Sequence, residues 1–300
     1  MANTLITPSV LSARALATLY NTIVLAGLVH RDYESDFGGK QGDTITIRKP
    51  ATFTVNEFTS SISVQNITED STTLQLDKHL DVSVGVTAKQ LTLSLEDFDE
   101  QVLTPIVNAF AQDIDGRIAE KLVDAAEGAG GGGTTSSGTS VASLPFRDAR
   151  SILSRAKLPL TDRHAVLSPE STSKCLGDDL FVAVDKSGSP DGLREASLGR
   201  KFGFDTYESQ TFGYGSGDKG QADGVGFHRD AVAFVTRTLE APQGVAPNQV
   251  SVNNFEGLGL RVVKDYDIDS KTDVISVDLL VGVAALRPEA VAQLTWGLGS

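Results

Sequence analysis

Thr104-Pro-Ile-Val-Asn-Ala-Phe-Ala-Gln-Asp-Ile-Asp-Gly-Arg-Ile-Ala-Glu-Lys-Leu-Val-Asp-Ala-Ala-Glu127 is the stretch around which the rest of the chain is arranged. Thr104 and Pro105 suit an N-cap followed by the first helical position. Ile106, Phe110, Ile114, Ile118 and Leu122 then recur every four residues, which puts one apolar row along a helix. At about 1.5 Å per residue the pattern predicts a helix roughly 35 Å long. Just upstream, Ser94-Leu-Glu-Asp97 reads as a capping-box-like start. From Ser94 to Glu127 there are nine acidic and two basic residues, so −7 of the chain's −13 is concentrated here. Residues 128–140 contain only Gly, Ala, Thr and Ser, the composition of a flexible hinge. An arm, a long helix and a hinge to further structure describe a building block more than a catalyst.

Upstream, residues 7–28 have the apolar spacing of a packing helix through Leu11, Leu16, Leu19, Ile23 and Val24. A turn cluster at 38–43 leads into Thr44-Ile-Thr-Ile-Arg48, which alternates as a strand and stops at Pro50. Residues 51–66 are rich in Thr and Ser with scattered Phe and Val. Leu74, Leu76, Leu80, Val82, Val84, Val86 and Ala88 then occupy even positions, with Lys78 the single break. That is one period-two ribbon over some fifteen residues, longer than an ordinary strand. Such a ribbon with a polar return leg has little to pack on in its own chain, and another subunit is the natural cover for its edges and apolar face.

Downstream, residues 144–158 form a helix with Phe146, Ala149, Ile152 and Leu153 inward, and Ala165-Val166-Leu167 forms a short buried strand. Short helices are expected at 171–176 and 193–198, and a glycine-rich loop at 211–226. Strands follow at 231–235, 259–263 and 274–286. Helices and strands are segregated rather than alternating, so the fold class is α+β.

Composition narrows the function. Three hundred residues, 40% hydrophobic, bury a substantial core. Net charge −13 with no basic run longer than a pair argues against a dedicated nucleic-acid binder. Cys175 stands alone, which excludes an intrachain disulfide and fits a reducing compartment. No basic leader and no 18-residue apolar run occur, so neither secretion nor a membrane span is expected.

Catalytic and ligand motifs are weak. Gly215, Gly217 and Gly220 match the dinucleotide glycine spacing in letters only, because no strand precedes them and no helix follows. Asp265, Asp267, Asp269 and Asp273 resemble the start of a calcium loop, but Ser270 and Ser276 replace the required Gly and Glu. The four histidines have no zinc-site spacing, and no nucleophile-elbow or metalloprotease motif is present. No cofactor, metal or catalytic residue is expected.

A resemblance runs across nearly the whole chain. Gly42-Asp-Thr-Ile-Thr-Ile-Arg-Lys-Pro50, Ala196-Ser-Leu-Gly-Arg-Lys-Phe-Gly-Phe-Asp-Thr-Tyr-Glu-Ser209, Gly226-Phe-His-Arg-Asp-Ala-Val-Ala-Phe234, Lys264-Asp-Tyr-Asp267 and residues 273–288 follow in order. Together they resemble the major capsid proteins of tailed bacteriophages, which have the Hong Kong 97-type fold, with the short-tailed-phage coat proteins the closer likeness. The resemblance implies an N-terminal arm at 1–35, an extended loop at 36–88 lying over a neighbouring subunit, and a peripheral domain from 89–135 and 256–290. It implies a spine helix at 104–127 carrying Pro105, Ile106, Phe110, Ile114, Ile118 and Leu122, an axial domain at 136–255 and a tail at 291–300. Ile45, Ile47, Phe53, Phe58, Leu74, Leu76, Lys78, Leu80 and Val82 are the expected subunit contacts.

The implied function is structural: pentamers and hexamers closing into an icosahedral shell around double-stranded DNA, in a virion assembled in the bacterial cytoplasm. With no long segment ahead of the arm, a separate scaffolding protein is expected, along with a portal and in some relatives a decoration protein. An acidic inner surface would repel the packaged DNA rather than bind it. Lysine–asparagine crosslinks occur in some relatives, but no motif here carries that chemistry to Lys40, Lys49 or Lys78. The alternatives are an encapsulin-like nanocompartment shell, a phage attachment module, and a small-molecule enzyme with the 211–226 loop as a lid.

Overall fold

The computed structural model describes residues 12–15, 19, 23–33, 43–49, 53–57, 64–67, 69–87, 104–128, 132–135, 141–183, 195–213, 222–242, 249–255, 258–268 and 272–297. Its centre is the helix α1, Thr104–Glu127, with the bounds the sequence predicts. Ile106, Phe110, Ile114, Ile118 and Leu122 are all buried, and Val107, Ala111, Ala119, Val123 and Ala126 join them. The buried stripe is therefore wider than the single four-residue row. Glu120, Lys121, Asp124 and Glu127 remain outside.

The described strands form three sheets, of which the two larger pack on this helix. β1 (Thr44–Arg48) and β2 (Ser71–Gln75) form a two-stranded antiparallel ribbon, with Ile45 opposite Leu74. β3 (Lys78–Thr87) lies beside β11 (Thr272–Ala285). That sheet continues through β10 (Leu258–Asp267) to β9 (Val250–Phe255), and β8 (Val232–Arg237) pairs with the far half of β11. The third sheet has the order β12–β7–β4–β6–β5. Its strands are β4 (Arg163–Leu167), β5 (Arg200–Lys201), β6 (Phe204–Glu208), β7 (Gly224–His228) and β12 (Val291–Leu294). The helices α2 (Leu144–Arg155), α3 (Pro169–Leu176) and α4 (Asp179–Val182) belong to the middle of the chain.

The even-position run is two strands rather than one ribbon. It breaks at Leu76-Asp77, beside the Lys78 that interrupts the apolar pattern; β2 pairs with β1, while β3 pairs over ten positions with β11. The parity survives the break, since Leu74 and Leu76 are buried and Leu80, Val82 and Val84 are half-buried. Residues 224–226, read as loop, are buried strand: Gly226 lets β7 lie close under Phe204 and Ala149, the nearest atoms to any added Cβ. Residues 196–199 are not helical, and Ala196 has a positive φ of 55°. β8 and β9, from the stretch expected in an axial domain, lie in the sheet of β10 and β11. β12, from the expected tail, is buried beside β7.

The C-terminal segment is fastened by named contacts. Trp296 is buried, and its indole Nε1–H donates to the Ala142 carbonyl at 3.0 Å. The backbone N–H groups of Trp296 and Gly297 both donate to Asp223 Oδ2. Lys174 Nζ donates to the Trp296 carbonyl at 3.1 Å. Buried Arg163 closes the end of α2 by donating to the carbonyls of Leu158 and Pro159 and to Ser154 Oγ. The two carbonyls lie just past the last residue of α2, so Arg163 pins the chain that leaves the helix.

Candidate functional site

The ribbon β1–β2 has a root and a projecting limb with opposite characters. At the root, Leu74 (0% exposed) and Leu76 pack on Ala233, Val235 and Leu286 of the same chain, with Tyr33, Ile45, Ile47, Leu280 and Ala284 around them. Gly282 makes this possible: a Cβ there would overlap the backbone carbonyl of Gln75. Beyond the root, Phe53 (63% exposed), Val55 (97%), Val64 (83%) and Ile67 (71%) present apolar side chains to solvent. The limb is nevertheless tied across its width. The Thr54 N–H donates to Gln65 Oε1 at 2.9 Å, and Gln65 Nε2 donates back to the Thr54 carbonyl. The Gln65 amide thus does the work of one cross-strand peptide pair.

Under the ribbon root lies an open cleft of about 210 Å³ lined by His30, Tyr33, Ile47, Arg48, Lys49, Thr72, Asp230, Leu286 and Arg287. Its cations are partly answered: Arg48 lies 3.5 Å from Glu69, and Arg287 3.1 Å from Glu289. The cleft joins the ribbon to residues 30–33, where His30 stacks on Tyr33 with centroids 4.8 Å apart and bridges in parallel to Ala233 of β8.

The expected contact residues therefore separate. Leu74 and Leu76 are covered by their own chain, so the argument that the ribbon lacks an internal partner does not hold at its root. Ile45, Ile47, Leu80 and Val82 are half-buried, Lys78 sits 2.9 Å from Asp77, and Phe53 is free at the limb. Phe58 and Lys40 lie outside the described residues. Val55, Val64 and Ile67 extend the exposed face; the Thr- and Ser-rich composition around them hid their grouping.

Asp115 is a further residue that sequence reading missed. It is turned inward from α1, where Oδ2 accepts from the Val24 N–H and Oδ1 from the Leu25 N–H, each at 3.0 Å. Burial pushes its carboxyl up to about 6, against the opposing pull of hydrogen bonds from the Val24, Leu25 and Ala26 amides. The signal was available: position 115 follows 111 by four and precedes 118 and 122 on the buried face. Asp115 consequently drops out of the acidic surface predicted for the helix.

The described residues hold no group of three His, Cys, Asp or Glu side chains arranged for a metal ion. Asp265, Asp267 and Asp273 belong to the β10–β11 hairpin, where Asp273 pairs with Lys264 at 3.4 Å; Asp269 lies outside the described residues, as do Gly215, Gly217 and Gly220. The Cys175 thiol is buried, and burial pushes it up to about 12, which leaves it without nucleophilic character at neutral pH. His164 and His228 lie on neighbouring strands β4 and β7, and burial lowers both below their ordinary value. No described helix is long and apolar enough to cross a membrane.

A β-ribbon set on a body of one long helix, an antiparallel sheet and a mixed sheet defines the class of the molecule: an α+β protein of the Hong Kong 97-type capsid fold. Solved structures carry the comparison. A chain from Mycobacterium phage Che8 is 24% identical, with a TM-score of 0.69 over 93% of this chain and 92% of that one. The capsid of cyanophage P-SCSP1u is 15% identical, with a TM-score of 0.65 over 87% and 85%. The mature capsid of bacteriophage PhiM1 is 16% identical, with a TM-score of 0.65 over 86% and 84%. No protein-family profile and no curated protein matches the sequence.

Proposed function

We propose that the chain is the major capsid subunit of a tailed phage, assembling into pentamers and hexamers of an icosahedral shell around double-stranded DNA. The observation that carries this reading is the ribbon. Its root is locked to the body by Leu74 and Leu76, while Phe53, Val55, Val64 and Ile67 stand in solvent on a limb braced by Gln65. Exposed apolar side chains grouped on one limb are a cost in a monomer and a contact in an assembly. Copies related by a repeated rotation bury the limb of each on the next, and such heterologous contacts close into rings. In this reading α1 with the β3–β11–β10–β9 sheet is the peripheral part, and the β12–β7–β4–β6–β5 sheet with α2 and α3 is the axial part. A separate scaffolding protein directs closure and a portal occupies one vertex. The exposed acids Glu120, Asp124 and Glu127 line the lumen, where they repel packaged DNA. The particle forms in the bacterial cytoplasm and the chain ends in the virion.

Negative-stain electron microscopy with sedimentation, on the chain co-expressed with its genomic neighbours, tests the proposal. Closed icosahedral particles containing DNA support it. Closed particles filled with a cargo enzyme transfer it to a nanocompartment, and small discrete oligomers in the presence of scaffold overturn it.

A further inference from the structure

We propose that the tip of the β10–β11 hairpin in one copy of the chain docks in the cleft under the ribbon root of a second copy. Past Lys264, β10 has no strand neighbour but β11 among the described residues, because its pairing with β9 reaches only to Val263. At that end Tyr266 is 51% exposed and Ile268 76%. Asp265 and Asp267 flank Tyr266 and are exposed as well. Asp273 faces Tyr266 across the hairpin, with Lys264 as its ion-pair partner. The tip is therefore an apolar pair set among acids.

The cleft carries the reverse pattern. Its apolar lining is Tyr33, Ile47 and Leu286, and the cations Arg48, Lys49 and Arg287 stand against a single lining acid, Asp230. Glu69 and Glu289 reach Arg48 and Arg287, but their side chains are 48% and 42% exposed, where an ion pair is worth little. Two copies that each carry a net charge of −13 repel over most of their surfaces. A cation-lined cleft is where the acidic tip of another copy is drawn in.

One chain cannot fill its own cleft. The hairpin turn adjoins Thr272 at the start of β11, whereas Leu286 and Arg287 directly follow its last residue, Ala285. The 14 residues of β11 hold the two surfaces roughly 45 Å apart at the usual strand rise. Each copy thus gives a tip at one end of β11 and receives one at the other, which makes the contact heterologous. The inference rests on the shell reading only in requiring neighbouring copies. It uses none of the limb residues Phe53, Val55, Val64 and Ile67.

Site-directed crosslinking of the full-length chain tests it. Ile268→Cys puts a thiol on the tip and Thr72→Cys puts one on the cleft lining. The native Cys175 is buried, its thiol pushed up to about 12, and does not compete. With a short bismaleimide, a mixture of the two single variants is expected to give a linked dimer that neither gives alone. The double variant is expected to give a ladder, since each molecule then carries both halves of the contact. Adding Lys49→Glu to Thr72→Cys should lower the dimer yield at least about fivefold by repelling the acids of the tip. Asp265→Lys on the Ile268→Cys partner should restore it. Linking without closed particles keeps the contact and removes the shell. Closed particles without linking overturn the contact and leave the shell, and a yield unchanged by Lys49→Glu overturns the contact too.

Discussion

Arg261 and Asp278 face each other across β10 and β11, with Arg261 Nε donating to Asp278 Oδ1 at 2.8 Å and Nη2 to Oδ2. Asp278 is almost fully buried, and His79 of β3 reaches the same Oδ2 at 3.2 Å. One carboxylate therefore ties three adjacent strands. A two-pronged guanidinium pair is the strong form of such a contact. Removing Arg261 leaves the buried carboxylate with only the half-exposed His79 beside it. Arg261→Met is expected to lower unfolding free energy by about 3 kcal/mol. Adding Asp278→Leu is expected to recover most of that loss, because a well-packed apolar pair can replace a buried ionic one. Denaturant unfolding of the unassembled chain measures both, and a single-variant cost below about 1 kcal/mol would place the pair among ordinary surface bridges.

Gly282 gives a second prediction, on the seat of the ribbon. In Gly282→Ala the new methyl overlaps the Gln75 carbonyl, so β2 must lift off β11. Leu74 then loses burial worth about 1.5–3 kcal/mol. The expected result is faster proteolysis within residues 49–70, with the cleavage pattern elsewhere unchanged. Unaltered cleavage would mean that the backbone absorbs the methyl, and that Gly282 does not control the seat.

The long helix and the ribbon's parity were legible because both rest on periodicity, a local property of the chain. The break at Lys78 was visible as a letter but not as a change of partner, since strand pairing is decided by residues two hundred positions away. β12 escaped for the same reason: Val291-Ala-Gln-Leu294 is too short to signal a strand, and its burial comes from β7 and from the fastening of Trp296. Residues 224–226 were read as loop because glycine normally argues against a strand interior, whereas here Gly224 and Gly226 admit close approach of Leu167, Phe204 and Ala149. The separation of Leu74 from Val55 was also beyond the sequence. Both are apolar residues on one ribbon, and only the fold shows that one is covered and the other is not.

That separation makes a third prediction. Replacing Phe53, Val55, Val64 and Ile67 together with Ser should leave the isolated subunit's unfolding free energy within about 0.5 kcal/mol per site, as expected for exposed positions. The same variant should raise the concentration needed for shell formation by an order of magnitude or more, because the apolar area buried between copies is lost. Leu74→Ser should do the reverse, destabilising the subunit itself. Sedimentation against protein concentration, beside denaturant melts of unassembled material, separates the two. Normal assembly of the fourfold variant would remove the limb from the proposed contact.

Acid should pull the molecule in two directions. His164 and His228 are neutral in the folded chain because burial lowers both below the ordinary 6.5. The unfolded chain takes up these protons first, so stability from this pair is complete above 6.5 and declines as pH falls below it. Asp115, raised to about 6, has the opposite slope. Hydrogen exchange resolved along the chain should therefore show Arg163–Leu167 and Gly224–His228 losing protection between pH 7 and 5. His164→Gln should flatten part of the loss in β4. An equal loss along the whole chain would mean that a single global opening governs exchange, and that the two histidines do not act locally.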